Sequence, residues 1–204
     1  MTASPLESPA FGEAAPIRPS PSALDFLAHR RSASALSLRA PAPDGRQLRD
    51  LLTLAARTPD HGKLAPWRFI VLSGDAKGEF VAALETIAQG RPDAAKALAK
   101  LGKIRTPPLT VAVISRPVAG DIPEWEQRLS AGGVCTMLII AAQAMGFGAN
   151  WITDWYAYDP KATTLLGLAD DELVAGFVHI GTAAEDPLER VRPDIEAITR
   201  IWAP

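Results

Sequence analysis

Apolar residues recur at helical spacing in some stretches of the chain and form short continuous runs in others. The clearest helical pattern follows Asp44 and Gln47, which have the spacing of a capping box, and stops before Pro59. Proline cannot continue a helix, so the pattern predicts one helix that ends before this residue. Its apolar positions are Leu48, Leu51, Leu52, Ala55 and Ala56.

Three apolar or β-branched runs predict strands at 67–73, 109–115 and 174–182. The middle run is apolar at nearly every position, which is typical of a strand buried on both faces. Weaker patterns predict further elements: a helix from Ser20-Pro21 with its apolar face at Leu24 and Leu27, two helical segments within 76–104, a strand at 148–154 and a short helix between Asp159 and Gly167.

A long helix is predicted from Pro123 to about Met145, with Gly146 closing it. From Val134 onward this helix is apolar nearly all round, so we expect it to be central to the core. Gly132 and Gly133 would weaken a helix, and their presence predicts that another part of the molecule approaches closely there.

Composition limits the class of protein. Of 204 residues, 48% are hydrophobic and 22% charged, which predicts one globular domain at 20–204 after a flexible tail at 1–19 rich in Pro, Ala and Ser. The formal charge of −2 argues against a general nucleic-acid or membrane-surface binder. The sequence has no membrane-spanning run and no signal pattern, so a cytoplasmic location is expected.

The single cysteine, Cys135, excludes an intrachain disulfide and a thiolate zinc cluster, and its apolar surroundings favour an inert buried thiol. The three histidines lack metal-ligand spacing, and His179 is interpreted as a satisfied core or sheet histidine. We find no dinucleotide-binding fingerprint, P-loop or nucleophile elbow.

Two segments carry candidate chemistry. Arg30-Arg31-Ser32 can form charge-assisted hydrogen bonds to a phosphate, although two solvated arginines are the commoner case. The loop at 58–69 holds His61 and Lys63 between two prolines, where binding groups usually lie, although the spacing alone favours an ordinary helix-to-strand turn with a solvated His61. The C-terminal stretch 186–204 is too apolar for a free tail, and a neighbouring subunit is a reasonable partner for it.

The order of these segments, followed by Gly146-Phe147-Gly148-Ala149-Asn150-Trp151 and by a strand from Gly176 to Gly181, resembles the FMN-dependent nitroreductase family, in particular its short bacterial NAD(P)H nitroreductase branch. The resemblance runs from about Leu24 to Thr182. It implies an α+β fold with a small central sheet, mostly antiparallel or mixed, flanked by helices and assembled as a homodimer with FMN at the interface.

The resemblance also implies the cofactor-binding residues. Arg30, Arg31 and Ser32 match the segment that binds the ribityl phosphate. Arg57 and His61 match positions that approach the flavin from the partner subunit. Trp151, Ile152 and Thr153 match the segment along the isoalloxazine ring, and Arg192 corresponds to a basic C-terminal residue near the phosphate. No catalytic side chain and no metal are implied, since FMN carries the chemistry.

Two departures from the family pattern concern the flavin environment. This chain has Ser34 where many relatives carry an arginine, and Lys63 and Ala65 where many carry Asn and Gln. Lys63 either places a positive charge near the pyrimidine side of the flavin or points into solvent.

Three functions are weighed. The leading hypothesis is an oxidoreductase that transfers a hydride from NAD(P)H through FMN to nitroaromatic or quinone-like acceptors with ping-pong kinetics. The second is a flavin-binding or flavin-sequestering protein without significant turnover. The third is a hydrolase that uses His61. The yellow colour of bound flavin separates the first two from the third.

Overall fold

The computed structural model describes residue 6 and residues 8–203, and within them five strands form one antiparallel sheet. The strands are β1 (Leu38–Arg39), β2 (Trp67–Ser73), β3 (Leu109–Ser115), β4 (Gly148–Ile152) and β5 (Leu173–Ala183). β5 is the central strand, because its residues 177–180 pair with β3 on one side and with β4 on the other. β2 extends the sheet beyond β3, and β1 pairs with the C-terminal end of β5.

Helices cover both faces of this sheet. They are α1 (Pro21–His29), α2 (Gly45–Ala55), α3 (Gly74–Gln89), α4 (Ala94–Lys100), α5 (Gly102–Arg105), α6 (Glu124–Ala144), α7 (Pro160–Leu165) and α8 (Ile195–Ile198). One core lies between the sheet and α2 with α6, where Leu51, Val134 and Val178 are buried. The second lies on the opposite face beneath α3, α4, α5 and α7, where Leu84 and Phe177 are buried.

Local sequence signals placed most of these elements. The Asp44 carboxylate accepts from the Arg46 and Gln47 amides, and the Gln47 side chain accepts from the Asp44 amide, so the predicted capping box is present. β2 and β3 have the predicted bounds, and all seven residues of β3 are buried. α6 begins after Pro123 and ends at Ala144, and the predicted closing glycine, Gly146, follows the C-cap Met145 with a positive φ of 86°.

Three details differ from the sequence expectation. Leu24 and Leu27, the predicted apolar face of α1, are exposed, and α1 buries none of its residues in this chain. The stretch at 76–104 lies within three helices, α3, α4 and α5, and not in two. Of the two adjacent glycines in α6, only Gly133 meets a close neighbour, because a Cβ there would lie 2.8 Å from Cγ2 of Thr58.

The predicted N-terminal tail lies partly outside the described residues, at 1–5 and 7. From residue 8 to residue 19 the chain has no helix or strand and is exposed. In the described part of the chain, no helix combines the length and apolarity needed to cross a membrane.

Candidate flavin site

A cleft of about 360 Å³ lies between α6 and β4, beside the segment that follows α1. It brings together two groups of predicted site residues, since Arg30 and Ser32 line it together with Trp151. Thr136 and Ile139 of α6 and Asn150 of β4 complete the lining. A volume of this size is within the range of small-molecule sites, and the cleft joins a cation and a hydroxyl to an aromatic ring.

Hydrogen bonds fix the Arg30–Ser32 segment against α6 and β4. The Ala33 amide donates to the Ala149 carbonyl at 3.1 Å, and the Asn150 side-chain amide donates to the Ala33 carbonyl. The Gln143 side-chain amide donates to the Arg31 carbonyl. Because these bonds fix the backbone at Arg31 and Ala33 to buried or half-buried partners, the core sets the direction in which the side chain of Ser32 leaves the backbone.

Arg31 has a different role from Arg30. Its Nε donates to the Leu188 carbonyl at 2.9 Å and lies 3.8 Å from a Glu189 carboxylate oxygen. Arg192 pairs with the same Glu189 oxygen at 2.8 Å and reaches the Arg30 carbonyl at 3.4 Å. Arg31 and Arg192 therefore tie the C-terminal segment to this region. Arg31 also lines a second cleft of about 520 Å³, together with Arg30.

Arg30 makes no side-chain hydrogen bond or ion pair with the residues that the structure describes, and it lines both clefts. Ser34, which replaces an arginine found in many relatives, accepts from the Leu36 amide at 3.3 Å and so caps the short turn before β1. Ser34 is thus used by the local backbone, and Arg30 is the cation available to a ligand in the cleft.

Trp151, Ile152 and Thr153 form the end of β4 and the residue after it. Trp151 is 40% exposed, and its indole N–H donates to the Ala175 carbonyl at 3.2 Å. Ile152 is half-buried and Thr153 is exposed. Only Trp151 of the three lines the cleft between α6 and β4.

The loop at 60–65 has a strained backbone. Lys63 and Ala65 have φ angles of 57° and 45°, in the left-handed region that costs non-glycine residues about 1–2 kcal/mol each. The Asp60 carboxylate accepts from the Ala65 amide at 2.7 Å and closes the loop. Such strain is typical of functional segments, and Lys63 is exposed at its tip.

His61 has a carboxylate partner that the sequence did not reveal. Its Nδ1 lies 2.7 Å from Oε2 of Glu126 in the first turn of α6, and both side chains are largely exposed. The two residues are 65 positions apart, so only the fold brings them together. Arg57, just after α2, is exposed.

Within one chain, the loop and the cleft are separate. Glu126, which holds His61, and Thr136, which lines the cleft, are ten residues apart on α6, or about 15 Å along its axis. Neither Arg57 nor His61 lines either cleft described above. Within one chain, Arg30, Ser32 and Trp151 therefore meet at one cleft, whereas Arg57 and His61 lie away from it.

Two further core groups, Cys135 and His179, are uncharged at neutral pH. Burial raises the pKa of the Cys135 thiol to about 12. Burial, followed by the positive charges of Lys77 and Lys103, lowers the pKa of His179 to about 3 and keeps it neutral. Its Nδ1 lies 2.9 Å from the Thr110 hydroxyl, whereas Nε2 has no partner among the described residues. Across those residues, no group of three His, Cys, Asp or Glu side chains could hold a metal ion.

Comparison with known proteins assigns the class. The profile of the Nitroreductase family matches residues 27–182. The Escherichia coli (strain K12) protein named "Putative NAD(P)H nitroreductase YdjA" is 34% identical over 184 residues, covering 89% of this chain and 94% of that protein. The chain therefore belongs to the Nitroreductase family, which confirms the resemblance inferred from the sequence.

Solved structures show the same fold. A nitroreductase-like family protein from Bacillus cereus superposes with a TM-score of 0.79 at 21% identity, covering 91% of this chain and 98% of that one. A nitroreductase with bound FMN from Bacteroides fragilis gives a TM-score of 0.68 at 20% identity, covering 89% and 100%. The predicted α+β fold with a helix-flanked sheet is confirmed, and the sheet is antiparallel throughout.

Proposed function

We propose that this protein binds FMN and uses it to transfer a hydride from NAD(P)H to nitroaromatic or quinone-like acceptors. The observation that carries the proposal is the cleft between α6 and β4, which joins Arg30 and Ser32 to Trp151. Membership of the Nitroreductase family supports the reaction class, and the FMN-containing relative from Bacteroides fragilis supports the cofactor.

The chemistry of the lining fits FMN. A guanidinium and a hydroxyl at one end suit a phosphate, since a charged donor makes the stronger hydrogen bond to an anion. The Trp151 ring suits a flat aromatic system, because aromatic faces pack by stacking. Arg30 and Ser32 would hold the phosphate end, and Trp151 with the end of β4 would lie along the ring system. Arg31 would contribute by holding the C-terminal segment beside them.

When bound, FMN supplies the redox chemistry, as it accepts a hydride from NAD(P)H and passes electrons to a second substrate. The side chains of this protein have to bind and orient the cofactor and leave one face of its ring open. This division of labour requires no activated nucleophile, which agrees with the buried, un-ionised Cys135. Two substrates that use one face in turn give ping-pong kinetics.

We further propose that a second copy of the chain completes each site. Arg57 and His61 lie away from the cleft of their own chain, so they would face the cleft of the partner. Exposed apolar residues offer a surface for this copy. They lie on α1 at Leu24 and Leu27, on α6 at Trp125 and Leu129, and on the C-terminal segment at Leu188, Val191, Ile195, Ile198, Ile201 and Trp202.

A visible absorption spectrum of the purified protein tests the cofactor. We expect a yellow protein that releases FMN on denaturation, whose absorption bleaches with NADPH and returns when a nitroaromatic or quinone acceptor is added. Bleaching without acceptor-dependent return would favour a flavin-sequestering protein. A colourless protein that fails to take up added FMN would overturn the proposal and leave a hydrolase that uses His61 as the alternative.

A further inference from the structure

The indole of Trp151 lies directly against the backbone of Gly176. A Cβ built on Gly176 would overlap Nε1 and Cδ1 of the indole and would stand 3.0 Å from its Cε2. Only glycine therefore fits at this position while the indole keeps its place. Gly176 has no need of a left-handed backbone, so the requirement comes from the close approach of Trp151 alone.

The sheet register explains the contact. Trp151 of β4 pairs with Val178 of β5, and Gly176 is two residues from Val178 on the same strand. Alternate residues of a strand share a face, so Trp151 and Gly176 are diagonal neighbours on one face of the sheet. Val178 belongs to the core beneath α2 and α6, which places the indole on the α6 side, where the cleft lies.

The polar group of the indole is occupied. Its N–H donates to the Ala175 carbonyl at 3.2 Å, in the residue next to Gly176. The indole is thus held at one edge by a hydrogen bond, and its ring rests on the backbone of Gly176. What it offers to the cleft is its apolar ring, because its single donor is already used.

We infer that Gly176 is a positioning residue that lays the Trp151 indole along the strand, so that the ring forms an aromatic wall of the cleft for a flat, aromatic ligand. The inference rests on the proposed function in that the ligand expected there is the ring system of FMN. Any side chain at position 176 would lift the indole from the sheet and move it into the space that the ligand uses or out toward solvent.

The test compares Gly176→Ala, Trp151→Ala and the double variant with the wild type by titration with FMN. Loss of a stacking partner weakens binding of a flat ring by about tenfold or more. We expect Gly176→Ala and Trp151→Ala each to lose about this much, and the double variant to lose no more than Trp151→Ala alone, since Gly176 acts only through Trp151. Additive losses, or wild-type affinity in Gly176→Ala, would overturn the inference.

Gly181→Ala is the matched control on the same strand. A Cβ there would stand 2.8 Å from the Arg39 carbonyl oxygen and from Cδ of Pro108, so the variant should lower stability without touching Trp151. We expect its folded fraction to bind FMN with wild-type affinity. If Gly181→Ala loses FMN affinity as Gly176→Ala does, the loss reflects damage to β5 and the inference fails.

A measurement without flavin separates this inference from the proposed function. The fluorescence of Trp151 is obtained by subtracting the emission spectrum of Trp151→Phe from that of the wild type. The same subtraction is made between Gly176→Ala and the Gly176→Ala, Trp151→Phe double variant. A shift of this difference spectrum toward a more solvated indole in Gly176→Ala supports the positioning role even if no variant binds FMN. An unchanged difference spectrum overturns it even if FMN binds.

Discussion

Arg30 and Arg31 are adjacent in the sequence, yet the fold gives their guanidinium groups different surroundings. Arg30 lines the cleft and makes no side-chain hydrogen bond to the described residues, whereas Arg31 is bonded to Leu188 and lies near Glu189. A sequence motif of two arginines cannot reveal this division, because the residues that engage Arg31 are more than 150 positions away.

The first prediction follows from that division. Arg30→Ala should weaken FMN binding by about ten- to a hundredfold, since a charge-assisted hydrogen bond contributes roughly 1.5–3 kcal/mol. Its unfolding midpoint without flavin should stay near the wild-type value. Arg31→Ala should also release the C-terminal segment, which faster proteolysis after residue 187 would reveal. Wild-type FMN affinity in Arg30→Ala would show that Arg30 does not bind the phosphate.

The second prediction concerns His61. Because FMN would itself carry the hydride transfer, we expect His61, held by Glu126 at 2.7 Å, to position a group at the flavin and not to serve as an obligatory acid. His61→Ala should lose only part of the turnover or of the flavin affinity, and Glu126→Gln, which keeps a hydrogen-bonding side chain, should lose less. Steady-state kinetics on flavin-loaded protein provide the measurement. Complete loss of hydride transfer with FMN fully bound would instead assign His61 a direct chemical role.

At the scale of elements, the sequence correctly predicted the features that depend on residues close together in the chain. The bounds of β2 and β3 and the capping box of α2 depend on neighbouring residues, and they are confirmed. The exposure of the apolar residues of α1 depends on tertiary packing and was not predicted. The same holds for the break between α4 and α5, where Leu101 is fully buried. In the site, the Arg30–Ser32 segment and Trp151 could be named from the family resemblance, whereas Glu126 and Gly176 act through distant contacts.

The two glycines of α6 give the third prediction. Alanine raises helix propensity by about 1 kcal/mol over glycine, and a Cβ at Gly132 meets open space in this chain. At Gly133 the Cβ would press on the methyl group of Thr58, whose buried hydroxyl is fixed by a hydrogen bond to the Ala55 carbonyl at 2.8 Å. Gly133→Ala should therefore be less stable than Gly132→Ala by about 1–3 kcal/mol.

Urea unfolding of the two variants measures this difference, and each serves as the control of the other because the helix and the substitution are the same. The comparison should be made at several protein concentrations, so that an effect on association can be separated from an effect on the fold. Equal stabilities would mean that α6 and Thr58 do not meet as closely at Gly133 as the 2.8 Å contact indicates.

At the scale of the whole molecule, the distance of Arg57 and His61 from the cleft of their own chain underlies our proposal that each site is built from two chains. The fourth prediction uses a mixed dimer of one Arg30→Ala chain and one Arg57→Ala chain. If each site takes Arg30 from one chain and Arg57 from the other, one site receives both substitutions and the other receives neither. The mixed dimer should then recover one intact site, although each mutant homodimer has two damaged ones.

Differently tagged chains can be co-expressed and the mixed species purified, and its FMN occupancy and NADPH oxidation compared with those of both homodimers. Occupancy near half of the wild-type value is the expected result. A properly assembled mixed dimer that recovers nothing, with both homodimers confirmed as impaired, would show that each site is built within one chain.

The position of β5 in the chain also determines when the protein can fold during synthesis. Of the five described strands, β5 is the last to be synthesised, yet β3 and β4 both pair with it and do not pair with each other. Until residues 173–183 emerge, the edge of β3 that β5 will cover is open, in addition to the outer edge of β2, and β4 has no neighbour. Open strand edges are templates for aggregation, so the nascent chain is most exposed to aggregation before β5 is made.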